Sequence, residues 1–384
     1  MRILFTSLGS HGHTLPLLPL ATAARAAGHE VGFATGPELH PTLREVGIEP
    51  LTAGTSIRED MIGTAHELFG AAPGEPGFPW EQLTRLIAET FGRTMPHRFL
   101  TDLTPLLRRD EPDMVVFDSA NTGAELAARL AGIPAVAHGI GPDPSEGFEE
   151  HDQVLAAFSA ELGLSTPEPG HTSPYLDIYP PTLRATVPRQ DQRGTALRPV
   201  PHPGTTPPPA RLLHREPGEK LVQLTFGTEF ATVELLRTAT EALAQPGIRL
   251  LVATGPVDPA DLGEQPDNVV VQSWLPQAEL LAHLDLLVHH GGSGTTLAAS
   301  HAALPQLLLP RGADQFANAE AIRTSGAGER LLPEELETAA VTAAAHRLLT
   351  DPAPHRAARH LATEIAAMPS AEEVVPQLPE LAAG

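Results

Sequence analysis

The feature that most constrains this chain is a repeated alternation. Short apolar runs end in glycine-containing loops and lead into Leu/Ala-rich segments that are themselves halted by glycine. Residues 2–7 pass into Gly9-Ser10-His11-Gly12 and then into a segment that runs to Ala27 and stops at Gly28. This reads as strand, loop and helix, with Pro16 and Pro19 in the helix's opening turns, where the missing N–H is tolerated. The theme recurs with strand 30–35 and helix 37–46, and again with strand 114–117, helix 122–130 and strand 134–138. Prolines crowd between Pro199 and Pro209 and end the first series. Strands then restart at 221–225, 249–254, 269–272, 286–289 and 306–309, with helices between them. Strands alternating with helices require a parallel sheet covered on both faces. At 384 residues the chain exceeds one ordinary core, so the expected fold is α/β with two Rossmann-like, doubly wound parallel-sheet domains facing a central cleft. The expected boundaries are 1–205 for a first domain, 206–218 for a Pro-rich linker, 219–368 for a second domain and 369–384 for a short helical tail.

Charge narrows the partner. A formal net charge of -22 disfavours nucleic acid and anionic lipid, which need clustered Lys and Arg, and leaves a small molecule. The chain has no cysteine, which excludes disulfides, thiolate metal sites and thiol nucleophiles, and its single lysine, Lys220, sits in a turn-like context ill suited to Schiff-base chemistry. The first residues lack a basic leader, and no stretch reaches the ~18 apolar residues of a membrane span. A cytoplasmic chain without a membrane span is expected; a homodimer is compatible with the sequence, which carries no signal for oligomeric state.

The most informative stretch is Leu286-Leu287-Val288-His289-His290-Gly291-Gly292-Ser293-Gly294-Thr295-Thr296. An apolar strand entering a glycine-rich turn and then a helix aims free N–H groups and the positive end of a helix dipole at one point, which makes an anion site. His289, at the strand's end, is placed to donate to a phosphate oxygen. The loop is neither the lysine-containing P-loop nor G-x-G-x-x-G. Ser273-Trp274-Leu275-Pro276-Gln277 and Gly312-Ala313-Asp314-Gln315 each follow a strand as well, so all three segments fall at strand carboxyl ends, where ligands bind in open α/β sheets.

These segments resemble the donor-binding signature of the UDP-glycosyltransferase superfamily (glycosyltransferase family 1, GT-B fold), in its bacterial antibiotic and macrolide branch. The resemblance covers nearly the whole chain, and the run from Trp274 to Gln315 is highly specific. It implies that Trp274 stacks on a nucleobase, with Leu275 and Gln277 beside it. It also implies that His289 and the loop Gly291, Gly292, Ser293, Gly294 and Thr295 hold a diphosphate, and that Asp314 and Gln315 hydrogen-bond the donor sugar. Thr225-Phe226-Gly227-Thr228 matches the turn that opens the donor domain, which puts Thr228 near phosphate. Gly292-Ser293-Gly294 stands where plant relatives carry Trp-Asn-Ser, so backbone donors carry more of the binding.

A hydroxyl acceptor needs a base, and His11 and His13 both lie in the loop after the first strand, facing the other domain. The family's Gly-His-x-x-Pro element, here Gly12-His13-Thr14-Leu15-Pro16, selects His13. Asp118, ending its strand, can accept the second imidazole N–H and stabilise the imidazolium. The expected reaction is direct displacement with inversion, moving a (deoxy)sugar from a TDP-sugar, or secondarily a UDP-sugar, to a hydrophobic aglycone of polyketide, macrolide or enediyne type. No Asp-x-Asp occurs in the chain, so no metal-bridged diphosphate and no cofactor beyond the donor substrate is expected. Carbon-linked transfer, a sugar-nucleotide epimerase and a non-catalytic sugar-nucleotide-binding helper are the alternatives. The acceptor is expected between residues 56 and 100 and between 138 and 179, stretches that contain Phe69, Phe78, Trp80, Phe91, Phe148 and Phe158.

Overall fold

A computed structural model describes residues 1–142, 149–164, 173–184, 194–201 and 207–382. Residues 143–148, which include Phe148, residues 165–172, 185–193 and 202–206, and the last two residues lie outside it, so much of the proline-crowded junction between the two expected domains is not described.

The described strands form two sheets, each wholly parallel. The first holds β1 (Arg2–Thr6), β2 (Glu30–Thr35), β3 (Pro50–Thr52), β4 (Met114–Asp118), β5 (Ala135–His138), β6 (Tyr175–Asp177) and β7 (Thr195–Ala196), in the order 3-2-1-4-5-6-7. The second holds β8 (Lys220–Thr225), β9 (Ile248–Ala253), β10 (Val269–Gln272), β11 (Leu286–His289), β12 (Gln306–Leu308) and β13 (Gly328–Arg330), in the order 10-9-8-11-12-13. Both orders reverse once, between β1 and β4 and between β8 and β11. Chains leaving two such neighbouring strands diverge to opposite faces and open a crevice at their carboxyl ends.

Strand parity explains why both faces are covered. Ile3 and Phe5 of β1 pack with Leu18, Leu20 and Ala21 of the helix Leu18–Ala26, whereas Leu4 joins Phe99 and Leu103 of the helix Met95–Asp110 on the other face. The single helix expected up to Ala27 is divided into a turn at His11–Thr14, a 3₁₀ turn at Leu15–Leu17 and the helix Leu18–Ala26. Pro16 and Pro19 each stand near the start of a new segment, so the prolines divide the run as well as being tolerated in it. In the second domain Val222 and Leu224 face Leu236 and Leu243 of the helix Val233–Leu243, while Leu221, Leu251 and Leu287 face Leu275 and Leu281.

Two stretches at the expected boundaries pack into the domain cores. The short helix Ala210–Leu213 lies within the expected linker, yet its Leu212 is buried in the second domain's core. The tail does not hang free: after the helix Pro352–Ala367, which packs on the helix Ser293–His301, a capping box at Ser370 and Glu373 starts a further set of turns. Their Val374, Val375 and Leu378 join the first domain's core against the helix Leu18–Ala26. Full burial of such side chains is worth about 1.5–3 kcal/mol each, so the carboxyl-terminal segment belts the two domains together. The same core holds Ile178, Tyr179 and Leu183 beside Leu297, Leu308, Ala319 and Ile322 of the second domain. Among the described residues no helix is long and apolar enough to cross a membrane.

Candidate active site

Both crevices open onto one cavity of about 1630 Å³ between the domains. Its first-domain wall begins with the loop after β1. Ser7 Oγ lies 2.8 Å from Thr14 Oγ1 and donates to Thr35 Oγ1 at 3.2 Å, which ties the loop's far end to the sheet. Asp118, at the end of β4 and fully buried, clamps the same loop from the side. Its Oδ2 accepts the Leu8 N–H at 2.7 Å, and its Oδ1 accepts the Ala120 N–H at 2.8 Å and faces His13 Nδ1 at 3.2 Å. With Nδ1–H donated to the carboxylate, His13 presents Nε2 as a proton acceptor. Its side chain is 17 % exposed and lines the cavity. The expected pair is therefore assembled, across the crevice where the first sheet reverses.

The second domain supplies the opposite wall. In the helix Ser293–His301 the Thr296 N–H bonds back to the Gly292 carbonyl, so the N–H groups ahead of it have no intrahelical partner. Those of Gly294 and Thr295 belong to cavity-lining residues, and a Cβ built on Gly294 would meet no atom within 4 Å. That open space beside a helix start suits a bulky anion. Ser293 is differently engaged: its Oγ–H donates to Asp314 Oδ2 at 2.5 Å, and its backbone N–H also favours that carboxylate. Burial raises the Asp314 pKa, opposed by the Ser293 hydrogen bond and by the charge of His13, which brings the two domains' groups into electrostatic reach of each other.

His289 does not reach the cavity. It is fully buried in β11, its Nδ1 accepts the Gly291 N–H at 3.1 Å, and its Nε2 pairs with Gln306 Oε1 at 2.9 Å. Burial, followed by the neighbouring His290, pushes its pKa down to about 3, so it is a neutral strut with both nitrogens used. The residue of this pair that lines the cavity is His290, the first beyond the strand. Its Nδ1 is buried without a partner, and burial holds its pKa at about 4, slightly countered by the Thr225 backbone. Its ring fills the space where a Cβ on Gly227 or Gly292 would sit, 2.7 Å and 2.6 Å from ring atoms, which is why both positions are glycine. The signal was available: a residue inside a doubly covered strand is sealed by helices, and only the residue past its end can enter the crevice.

The remaining expected residues divide. Trp274 is 62 % exposed and cavity-lining, with the His11 ring tilted beside it at 6.0 Å between centroids, so one broad aromatic surface is offered to a flat ligand. Gln277, Gly292, Thr295 and Thr228 also line the cavity. Leu275 borders it while its side chain is 2 % exposed in the core below. Gly291 does not line it: with φ +94 it turns the chain, its N–H goes to His289 and its carbonyl accepts Asn318 Nδ2 at 2.8 Å. Gln315 borders the cavity, but its Oε1 accepts the Arg311 and Gly312 N–H groups at 2.8 and 3.2 Å, which shapes the turn.

The stretches expected to take the acceptor contribute an apolar wall to the cavity. Of the aromatics named above, Phe91 lines the cavity, whereas Phe69 and Trp80 each meet Phe78 edge to face at a satellite cluster and Phe158 is buried beneath Arg93. Aliphatic side chains of Ile57, Met61, Ile62, Leu83, Ile87 and Leu155 make up the rest of an apolar wall.

Comparison with known proteins agrees with this geometry. Residues 22–227 match the family description "Erythromycin biosynthesis protein CIII-like, N-terminal domain" and residues 248–381 its C-terminal counterpart. The chain is similar to L-demethylnoviosyl transferase of Streptomyces niveus, 34 % identical over 96 % of this chain and 95 % of that one. It is similar to the elloramycin glycosyltransferase ElmGT of Streptomyces olivaceus, 32 % identical over 98 % and 97 %. Among solved structures it resembles the spinosyn rhamnosyltransferase SpnG complexed with thymidine diphosphate, at 27 % identity and a TM-score of 0.81, with 99 % of this chain and 100 % of that one covered.

Proposed function

This chain belongs to the erythromycin biosynthesis protein CIII-like family and is a glycosyltransferase of GT-B fold; from that premise we propose that it moves a deoxysugar from a thymidine-diphosphate sugar to a hydroxyl of an apolar polyketide- or macrolide-like acceptor. One observation carries the reading: His13, held by the buried Asp118 at the first sheet's crevice, and the helix start with His290 at the second line a single cavity. Relatives named for sugar transfer in elloramycin and demethylnoviosyl chemistry, and a structural neighbour that binds thymidine diphosphate, support the donor and acceptor classes.

In this reaction the base would lie on Trp274, with Gln277 and the Leu275 backbone beside it. The diphosphate would meet the Gly294 and Thr295 N–H groups and His290, with Thr228 at its flank, and the sugar would face Asp314 and Gln315. His13 Nε2 takes the acceptor's proton as its oxygen attacks the anomeric carbon, and Asp118 stabilises the imidazolium that forms. The bond to the diphosphate breaks as the new one forms, with the leaving group's charge met by the helix start. Attack from the side of His13, opposite the diphosphate, inverts the anomeric centre.

Incubation of a TDP-sugar panel with polyketide and macrolide aglycones, read by mass spectrometry, is expected to give a product one sugar heavier and with inverted anomeric configuration. Donor turnover without any acceptor would favour an epimerase instead. Fixed backbone and imidazole donors take the place of a bridging cation, so excess chelator is expected to leave the rate within about twofold, and a loss restored by Mg²⁺ would refute metal independence. Trp274→Ala should weaken thymidine diphosphate binding by about 1–3 kcal/mol, roughly 5–150-fold, measurable by calorimetry.

A further inference from the structure

The donor-side carboxylate Asp314 is anchored from the opposite domain. Tyr179 follows β6 of the first sheet and is buried, yet its hydroxyl crosses the interface. It donates to Asn318 Oδ1 and lies 3.0 Å from Ser293 Oγ. Asn318 Nδ2 donates in turn to the Gly291 carbonyl at 2.8 Å, to Ser293 Oγ at 3.0 Å and to Asp314 Oδ2 at 3.1 Å. Ser293 Oγ–H completes the ring with its bond to the same Asp314 oxygen. The phenol thus orients the Asn318 amide and, through it and Ser293, holds Asp314 Oδ2 in place. Gly141, from the loop after β5, presses on the same pair: a Cβ there would lie 2.7 Å from Ser293 Oγ and 3.2 Å from Asp314 Oδ2.

We propose that Tyr179 is a positioning residue of the donor-sugar site, a first-domain side chain that holds the second domain's Ser293 and Asp314 in the geometry that receives the sugar. The inference rests on the reading of Asp314 as a sugar contact. Sugar recognition then depends on how the two domains meet, because the group that aims the carboxylate belongs to the domain that carries the base. Burial raises the Tyr179 pKa well above its ordinary value, so the hydroxyl keeps its proton and remains a donor throughout the physiological range.

Tyr179→Phe removes the hydroxyl and keeps the ring that packs among Leu183, Leu297 and Ile322. Calorimetry with thymidine diphosphate and with TDP-glucose separates the sugar's contribution from the nucleotide's. The variant is expected to bind TDP within twofold of the parent and TDP-glucose about 10-fold more weakly. Gly141→Ala, which displaces the same two side chains from another direction, should show the same split. Asp314→Asn serves to test the underlying reading: if it leaves both affinities unchanged, Asp314 is not a sugar contact and that reading fails. If Asp314→Asn lowers TDP-glucose affinity while Tyr179→Phe and Gly141→Ala match the parent, the role given to Tyr179 is overturned. Equal weakening of both ligands by Tyr179→Phe would also overturn it, since that pattern marks general loosening of the interface.

Discussion

Replacing His13 by alanine is expected to lower kcat for sugar transfer by about 10²–10⁴-fold, the usual contribution of a positioned general base. The nucleotide should still bind, because the imidazole belongs to the first domain while Trp274 and the helix start belong to the second. The variant should fold, because the side chain lies at the cavity edge and Asp118 keeps its two backbone partners, Leu8 and Ala120. Calorimetry with TDP beside single-turnover transfer checks both halves; unchanged turnover would remove His13 from the chemistry. Asp118 is a less clean probe. All the groups it meets are donors, so an Asn there would set its NH₂ against an N–H and disturb the loop along with the base.

The adjacent histidines of the donor loop should separate by kind of defect. His290→Ala removes a cavity-lining donor aimed at the leaving diphosphate, and loss of one such donor costs about 10²–10³ in kcat. Its effect on folding should be smaller than that of His289→Ala, since its Nδ1 has no partner and only the contact with the Thr225 backbone is lost. His289→Ala should do the reverse. It strands the Gly291 N–H and the Gln306 amide in the core and opens a cavity, a loss of roughly 3 kcal/mol in stability. Thermal melts and kinetics on the two variants, compared below the melting transition of the weaker, give the answer. A catalytic defect at His289 with an intact fold would restore it as the phosphate ligand.

That contrast shows how far the sequence could be read. Apolar runs of four residues are enough to announce a strand: residues 269–272 and 286–289 are apolar or nearly so and have the bounds of β10 and β11. The strands Pro50–Thr52, Tyr175–Asp177, Thr195–Ala196 and Gly328–Arg330 are two or three residues long, too short for any period, and owe their existence to the neighbour already in place. Reversal of strand order between β1 and β4 makes His13 and Asp118 neighbours although 105 residues separate them. Spacing cannot show such a contact, but two strand ends of one doubly wound sheet imply it. The strand's end already separates His289 from His290; what only the fold supplies is Gln306, the partner that occupies His289. The region expected to take the acceptor was legible, but which of its side chains line the cavity was not, because only the fold sets which helix faces turn inward.

A crystal structure of the complex with thymidine diphosphate bears most directly on the central claim, that one interdomain cavity joins a diphosphate-gripping helix start to an imidazole base. The diphosphate oxygens are expected within about 3 Å of the Gly294 and Thr295 N–H groups and of His290, with the base on Trp274 and the outer phosphate turned toward His13. A nucleotide bound away from that helix start, or with its outer phosphate pointing out of the shared cavity, would contradict it.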